Sequence, residues 1–574
     1  MCGAHCTTSW LRRTGCADTP AWTTPTAGVA RTTKATERSR PAQKSDLSVY
    51  VAHSSGASTL SAIRSSNIQG LGMVGLGIPG SRVPGSSIPR FRPHCDPGHI
   101  ECLFMNTRAQ RPSWRRTLTA TLLTPALALG VIVSAGTAVA GEAQSQADNA
   151  TGAANAASTA STASIPTVAD PGAFFAVPPS AELTDIAPGT PLKQRSVTAK
   201  VAGLDTPAAM TQIQYRTTTV NGNPTAAVTS VLHPPQGVPR TGDTVMYASF
   251  YDSMNPSDGP SRMLARGAQT ELLDFAEAAF VTPLLAEGHS VIMPDIQGER
   301  GIFAAGKEYA YIILDGIRAS RATPKARIAA DSKTALTGYS GGSIGAAWSA
   351  VMAEDYAPDV ASDIVGVAQG GVMPRTEHNL YYAGEGSKWS GVVGMALAGL
   401  ANAYDDDLTP YLTDYGQQVV SEMQGVHISD AQDRYAHLRW EELFRAEYPT
   451  PDDVPPVRRV FDDTNLGLVD SPSYPQYIAQ AGGGAEQQGT PAHPTLGDGD
   501  GVMLLGDSRA LARQYCEAGT RVTYEEYGPI GHTYAGALWA AKMLPWVNAR
   551  FDGGPSPSSC GSVPAGNSLT APVR

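Results

Sequence analysis

The chain contains 574 residues, of which 42% are hydrophobic and 16% are charged, and its formal net charge is -10. The hydrophobic share is enough for a sizeable buried core and excludes a disordered chain solvated by charge along its whole length. The acidic balance argues against a general nucleic-acid binder, because such proteins need basic surface to displace counterions from phosphates.

Charge is unevenly distributed along the chain. Residues 1–140 carry 15 basic and 5 acidic side chains, a local charge of +10, whereas residues 141–574 carry -20. A secretory signal peptide at 105–140 explains the boundary, because a basic start is followed by an uncharged apolar run and an Ala138-Val139-Ala140 cleavage site. The strongly apolar part is shorter than the roughly 20 residues of a spanning helix, so we expect a cleaved signal and a secreted protein rather than a membrane anchor.

The segments around this signal have unusual compositions. Residues 1–104 are rich in Ser, Thr, Arg, Pro and Gly and show no helical or strand period. We expect that the start is wrongly assigned and that translation begins at Met105. The alternative is that residues 1–104 are a genuine disordered extension. Residues 141–170 are small and polar and predict a flexible linker. The folded domain is therefore expected over 171–562, followed by a tail at 563–574.

The folded domain starts with a predicted β-hairpin, since residues 211–218 and 224–232 flank a turn that contains an Asn-Gly pair. Short apolar runs then alternate with helical patterns. These runs occupy residues 244–250, 289–293, 334–337, 364–368 and 522–527. Such alternation is typical of βαβ units, so the sequence predicts an α/β fold with a largely parallel sheet.

The sharpest motif follows the predicted strand at 334–337. There the chain reads Gly338-Tyr339-Ser340-Gly341-Gly342, and a helical pattern comes next. A G-x-S-x-G motif between a strand and a helix predicts a nucleophile elbow, in which a tight turn exposes the serine hydroxyl. The alternative is a Gly/Ser turn without function. In an elbow, the backbone N–H of Gly341 is the expected first donor of an oxyanion hole.

A serine hydroxyl becomes a useful nucleophile when a histidine accepts its proton and a carboxylate orients that histidine. In α/β-hydrolases these partners follow the serine in the order acid, then histidine. Among the histidines after Ser340, His532 alone follows the last predicted strand. Asp498, Asp500 and Asp507 all qualify by position as the acid, and the residues themselves favour the pair Asp498/Asp500. A surface acidic turn is the competing reading, whereas an EF-hand calcium loop would need further spaced ligands.

Two cysteines remain after removal of the signal, Cys516 and Cys560, and they are a plausible disulfide in an oxidising compartment. The sequence contains no C-x-x-C pair, H-E-x-x-H helix or Walker loop. We therefore expect no metal site and no cofactor.

Several motifs in one order make residues 171–562 resemble the secretory lipase family. This family comprises α/β-hydrolases that include the fungal lipase A type and secreted actinobacterial triacylglycerol lipases. The matching pieces are IQYRTT at 213–218, ILDGIRA at 313–319, LTGYSGG at 336–342, DDTNL at 462–466 and the run from Asp500 to FDG at 551–553.

The resemblance implies an α/β-hydrolase fold and roles for individual residues. The family triad matches Ser340, Asp500 and His532, so Asp500 is preferred over Asp498. The family's second oxyanion donor comes from a loop similar to 250–253, which makes Asp252 the candidate, with an ordinary loop aspartate as the alternative. The resemblance also implies a Cys516–Cys560 bond and an inserted helical lid at about 371–456.

The resemblance implies a secreted triacylglycerol lipase that hydrolyses fatty-acid esters. Its substrate could be in solution or at a lipid interface. Neither a cofactor nor a nucleic-acid partner is expected. A narrower carboxylesterase or acyltransferase would use the same triad. A secreted serine peptidase and a non-catalytic surface-binding protein are the more distant alternatives.

Overall fold

The computed structural model describes residues 164–201, 203–266, 271–384 and 386–573, with the backbone alone for 271–275. The expected upstream extension, the signal peptide and most of the linker lie outside the described residues. The limits assigned to these segments and to the folded domain therefore stay predictions.

A nine-stranded sheet forms the centre of the described chain, in the order β1-β2-β3-β5-β4-β6-β7-β8-β9. Strands β1, β2 and β3 are antiparallel and β3 runs antiparallel to β5, whereas β5, β4, β6, β7, β8 and β9 are parallel. The strands are β1 Pro191–Val201, β2 Leu204–Thr218, β3 Pro224–Leu232, β4 Thr244–Ala248, β5 Ser290–Pro294, β6 Thr334–Tyr339, β7 Ile364–Gly370, β8 Gln476–Gln480 and β9 Val522–Glu526. The prediction of an α/β fold with a mostly parallel sheet is confirmed.

Helices surround this sheet. They are α1 Pro171–Phe175, α2 Ser180–Leu183, α3 Pro260–Arg266, α4 Glu271–Ala286, α5 Gly306–Ala322, α6 Gly341–Tyr356, α7 Pro358–Ala361, α8 Thr376–Gly384, α9 Ser390–Tyr404, α10 Asp414–Met423, α11 Ile428–Tyr435, α12 Trp440–Leu443, α13 Pro455–Asp463, α14 Gly484–Gln487, α15 Leu505–Glu517 and α16 His532–Phe551. Within the described ranges, no helix combines the length and the hydropathy needed to cross a membrane.

The sheet buries both of its faces, which explains why its central strands read as continuous apolar runs. Every residue of β4, β5 and β6 is buried. On one face Leu336 packs in a cluster with Ile313 of α5 and Ile344 of α6. On the other face Val245 packs with side chains of α4 and α16, among them Trp539.

The order of the strands reverses beside β4, and this reversal positions the candidate site. The chain passes from β4 through α4 to β5 on one side, and then through α5 to β6 on the other side of β4. Ligands of open α/β sheets bind at the carboxyl ends of strands where the order reverses. The loop 249–255 follows β4 and Ser340 follows β6, so both lie at this point.

The chain between β7 and β8, residues 371–475, is the longest insertion in the described sheet, and we call it the inserted segment. It contains helices α8 to α13. The family resemblance implies a lid at about 371–456, within this insertion, and the lid function stays a prediction. The hairpin and apolar runs picked out from the sequence did not locate β1 or β8.

Candidate active site

Ser340 stands on a sharp turn between β6 and α6. Its backbone has φ 55 and ψ -125, an unusual conformation for a residue with a side chain. Gly338 and Gly342 make this turn feasible, because a Cβ at Gly338 would collide with the carbonyl of Gly342 and one at Gly342 with the carbonyl of Ala248. The turn places Ser340 at the start of α6 with its side chain partly exposed. This is the elbow geometry expected from the G-x-S-x-G motif.

Ser340, His532 and Asp500 form one hydrogen-bonded line. The Oγ of Ser340 lies 2.7 Å from Nε2 of His532, and Nδ1 of His532 lies 2.8 Å from Oδ2 of Asp500. His532 is the first residue of α16 and its backbone N–H also donates to the carbonyl of Asp500 at 2.9 Å. The hydroxyl of Tyr339 donates to the carbonyl of His532 at 2.6 Å. The three side chains singled out from the sequence are therefore brought together.

Asp500 is fully buried, and its carboxylate is held by fixed donors. Oδ1 accepts hydrogen bonds from the backbone N–H groups of Val502 at 3.0 Å and Met503 at 2.8 Å, and Oδ2 accepts one from Nε2 of Gln480 at 2.7 Å. The alternative Asp498 is exposed to solvent. The third candidate by position, Asp507, lies beside another histidine, His378, rather than beside His532.

The loop 249–255 brings Asp252 against the first residues of α6. Asp252 is buried and has φ 37, and a Cβ on Gly341 would collide with its carboxylate, so the two residues are in close contact. Burial raises the pKa of Asp252 to about 7, while the nearby His532 and a hydrogen bond from Gln297 act to lower it. Among the described residues, neither the backbone N–H of Asp252 nor that of Gly341 has a hydrogen-bond acceptor.

Sequence reasoning missed two glutamines that support this arrangement. Gln480 ends β8 and donates to Asp500, whereas Gln297 lies three residues after β5. The side chain of Gln297 donates to Oδ1 of Asp252 at 3.2 Å and accepts from the backbone N–H of Ser253 at 2.9 Å. Both are fully buried or nearly so. Their position at or just after the carboxyl ends of parallel strands is the signal that would have pointed to them.

A cavity of about 60 Å³ borders Ser340, Gly341 and Asp252. Apolar side chains line most of the remaining wall, and the inserted segment supplies many of them, including Leu380, Val392 and Ala396. A larger cavity of about 980 Å³ lies elsewhere, near Arg195, and contains no member of the serine, histidine and aspartate line. We take the smaller cavity as the candidate substrate site because the reactive hydroxyl opens into it.

The sequence also led to expectations about a disulfide and about metal binding. A disulfide joins Cys516 of α15 to Cys560, the pairing that the sequence favoured. Within the described ranges, no cluster of three or more His, Cys, Asp or Glu side chains is arranged to hold a metal ion.

Comparison with known families gives one clear match. The model described as "Secretory lipase" matches residues 266–559. The chain is 31% identical over 383 residues to a protein of Mycobacterium tuberculosis named a probable inactive lipase, covering 66% of this chain and 81% of that protein. It is 27% identical over 417 residues to Lipase 5 of Candida albicans, covering 71% of this chain and 86% of that lipase.

Solved structures show the same fold. The structure of Candida antarctica lipase A in its closed state is similar with a TM-score of 0.59 and 24% identity, covering 70% of this chain and 91% of the lipase. At this level of identity the likeness concerns the fold, which is that of an α/β-hydrolase.

Proposed function

The chain belongs to the secretory lipase family, a family of extracellular hydrolases, and on that basis we propose that it hydrolyses carboxylic esters of fatty acids, triacylglycerols among them. The observation that carries this proposal is the continuous hydrogen-bonded line from Ser340 through His532 to Asp500. Family membership alone would not carry it, because the Mycobacterium tuberculosis relative is named probably inactive. The elbow at Ser340 and the hydrogen-bonded line support the proposal that this chain is active.

In the proposed mechanism Ser340 attacks the ester carbonyl while Nε2 of His532 accepts its proton. The Nδ1–H of His532 donates a hydrogen bond to the carboxylate of Asp500, which fixes the tautomer and stabilises the imidazolium. His532 then returns the proton to the leaving alcohol, which leaves the acyl group on Ser340. A water molecule activated by His532 attacks the acyl-enzyme, and the fatty acid is released with the serine hydroxyl restored.

The negative charge that develops on the carbonyl oxygen needs donors already in place. The backbone N–H groups of Gly341 and Asp252, which have no acceptor among the described residues, are the proposed pair. We call residues 249–255 the oxyanion loop from here on. Below about pH 7 the raised pKa of Asp252 keeps its carboxyl protonated, so it adds no negative charge beside the oxyanion. In that pH range the protonated side chain does not oppose the charge that the backbone donors stabilise.

The size of the cavity bears on the substrate. Its volume of about 60 Å³ is far below the roughly 300 Å³ at which ordinary ligand pockets start. A long acyl chain would need helices of the inserted segment to move, as lids do in other enzymes. We therefore propose that part of the inserted segment is the lid. The same small volume favours the second candidate function, a carboxylesterase that takes short acyl chains without such a movement.

One set of assays tests both candidates. We expect the wild-type protein to hydrolyse p-nitrophenyl esters, and Ser340→Ala to lose at least about 10⁴-fold in kcat, because the nucleophile is removed. Ser349→Ala is the matched control, since Ser349 is a buried serine of α6, the helix that follows Ser340, and its hydroxyl has no hydrogen-bond partner among the described residues.

The acyl-chain series then separates the two functions. Turnover of emulsified long-chain triacylglycerol supports a lipase, whereas turnover confined to short, soluble esters supports a carboxylesterase. Wild-type Ser340 that a fluorophosphonate probe fails to label would contradict both.

A further inference from the structure

The oxyanion loop forms a short β-bridge with the inserted segment. Ser253 pairs with His427 in an antiparallel bridge. The backbone N–H of Ile428 donates to the carbonyl of Asp252 at 3.0 Å, and the N–H of Met254 donates to the carbonyl of Val426 at 2.9 Å. Two backbone hydrogen bonds therefore join the proposed oxyanion hole to residues 426–428, outside the central sheet.

The peptide group between Asp252 and Ser253 makes a hydrogen bond at each of its two ends. Its carbonyl accepts from Ile428, and its N–H donates to Oε1 of Gln297 at 2.9 Å. Gln297 comes from the loop after β5, and Ile428 is the first residue of α11. The peptide is thus held between the sheet and the inserted segment.

The conformation of Asp252 explains why such support matters. A φ of 37 is unfavourable for a residue with a side chain, so it persists when surrounding contacts enforce it. The N–H of Asp252 belongs to the preceding peptide, and the φ and ψ angles of Asp252 together set its direction relative to the peptide that follows. If the contact with Ile428 were lost, Gln297 would be the remaining hydrogen-bond partner of this peptide group among the described residues.

We propose that residues 426–428 of the inserted segment position the oxyanion loop, so that the second oxyanion donor is correctly aimed only while this stretch is docked. The inference rests on the proposed function, because it assumes that the N–H of Asp252 faces the developing oxyanion. It divides the inserted segment into two parts. Residues 426–428 stay docked during turnover, and any opening for the acyl chain involves other helices.

Ile428→Pro removes the N–H in question and places the proline Cδ against the carbonyl of Asp252, so it should push residues 426–428 and the oxyanion loop apart. Proline is favoured at the first position of a helix, and the preceding residue, His427, has φ -83 and ψ 151, which is compatible with a following proline. Ile428→Ala is the reference variant, because it shortens the side chain but keeps the N–H. The Ile428 side chain lines the cavity and both variants shorten it, so the ratio between them reports the loss of the docked contact with Asp252.

A second proline variant controls for the substitution itself. Asp414 is the first residue of α10, also in the inserted segment, and Thr413 before it has φ -67 and ψ 168. The backbone N–H of Asp414 has no acceptor within the described residues. Asp414→Pro should therefore keep the wild-type kcat, with its fold checked by circular dichroism and thermal melting.

For Ile428→Pro we expect a kcat about 10- to 100-fold below that of Ile428→Ala on a soluble p-nitrophenyl ester, somewhat less than the loss of a whole oxyanion donor. KM should stay within about twofold, because the contact acts in the transition state. Binding of a trifluoromethyl ketone, which forms a tetrahedral adduct with the serine, should weaken by the same factor as kcat, whereas binding of the fatty-acid product should not change. A merely structural role would not produce this split.

Equal kcat values for Ile428→Pro and Ile428→Ala would overturn the proposal. If the proline variant does not fold, hydrogen exchange on the wild-type protein phosphonylated at Ser340 replaces it. Continued protection of the amides of Ile428 and Met254 supports docking during catalysis, and loss of either protection refutes it. Failure of the proposed function is recognised separately, by a wild-type protein without esterase activity or a Ser340→Ala variant that keeps it.

Discussion

The described part of the chain holds two buried histidine–aspartate pairs of nearly equal geometry. Nδ1 of His532 lies 2.8 Å from Oδ2 of Asp500, and Nδ1 of His378 lies 2.9 Å from Oδ2 of Asp507. Both aspartates are fully buried. The distances between histidine and carboxylate therefore do not distinguish a proposed catalytic pair from any other pair.

The surroundings of the two pairs do distinguish them. Nε2 of His532 faces the hydroxyl of Ser340, whereas Nε2 of His378 has no hydrogen-bond partner among the described residues. Asp500 lies in a turn that donates backbone N–H groups to it, but Asp507 lies in the first turn of α15 and accepts from the side chain of Asn567 at 2.7 Å. The second pair joins α8, α15 and the carboxy-terminal tail. We infer that it cross-links the structure and takes no part in catalysis.

The sharpest test replaces each aspartate by asparagine. In Asp500→Asn we expect kcat to fall about 10⁴-fold, because an amide at this position no longer fixes the histidine tautomer that accepts the serine proton. The measurement is kcat per folded molecule on a p-nitrophenyl ester, with folding followed by circular dichroism. An activity close to wild type would remove Asp500 from the triad and reopen the choice that the sequence left between Asp498 and Asp500.

The matched variant Asp507→Asn should act on stability instead. We expect the free energy of unfolding to fall by about 1–3 kcal/mol, because a buried charged hydrogen bond to His378 is weakened. kcat at a temperature where the protein stays folded should remain within about threefold of wild type. Urea denaturation and steady-state kinetics on one preparation check both expectations. A loss of activity comparable to that of Asp500→Asn would contradict the division of roles.

These two aspartates also show where sequence reasoning stops. They lie seven residues apart in one Gly-rich stretch, and both precede His532 in the order that the fold requires. Which of them meets His532 depends on the turn at 500–503 and on the start of α15, and neither feature has a distinct local pattern. Position alone therefore left three candidates, and the family resemblance was needed to choose Asp500.

Ser340 and the hairpin were predictable because local chemistry determines them. The elbow needs glycines at 338 and 342 to avoid collisions, and the turn between β2 and β3 needs residues such as Asn221-Gly222. In contrast, β8 is short and begins and ends with glutamine, so its pattern differs from that of a buried strand. Gln476 and Gln480 are nevertheless buried, because they make hydrogen bonds to Gln369 and Asp500 that only the folded chain supplies.

Asp252 illustrates a further limit of the sequence. Its loop was recognised by resemblance to the family, but the sequence did not indicate its left-handed backbone conformation. The loop's hydrogen bonds to residues 426–428 join parts of the chain more than 170 residues apart. No local pattern encodes such a contact. The bridge between Ser253 and His427 became visible only when the inserted segment was placed beside the sheet.

The smallest expected effect concerns the outer contact of the second pair. Nδ2 of Asn567 donates to Oδ1 of Asp507, and Nδ2 also lies 3.0 Å from the carbonyl of Leu496. In Asn567→Ala we expect a loss of about 1 kcal/mol in the free energy of unfolding, because Asp507 keeps its bond to His378 and loses one donor. kcat should not change. Combining this variant with Asp507→Asn in a double-mutant cycle isolates the interaction, since the two changes should be less than additive. Full additivity would show that the tail stabilises α15 through other contacts, and a fall in kcat would show that the cross-link reaches the active site after all.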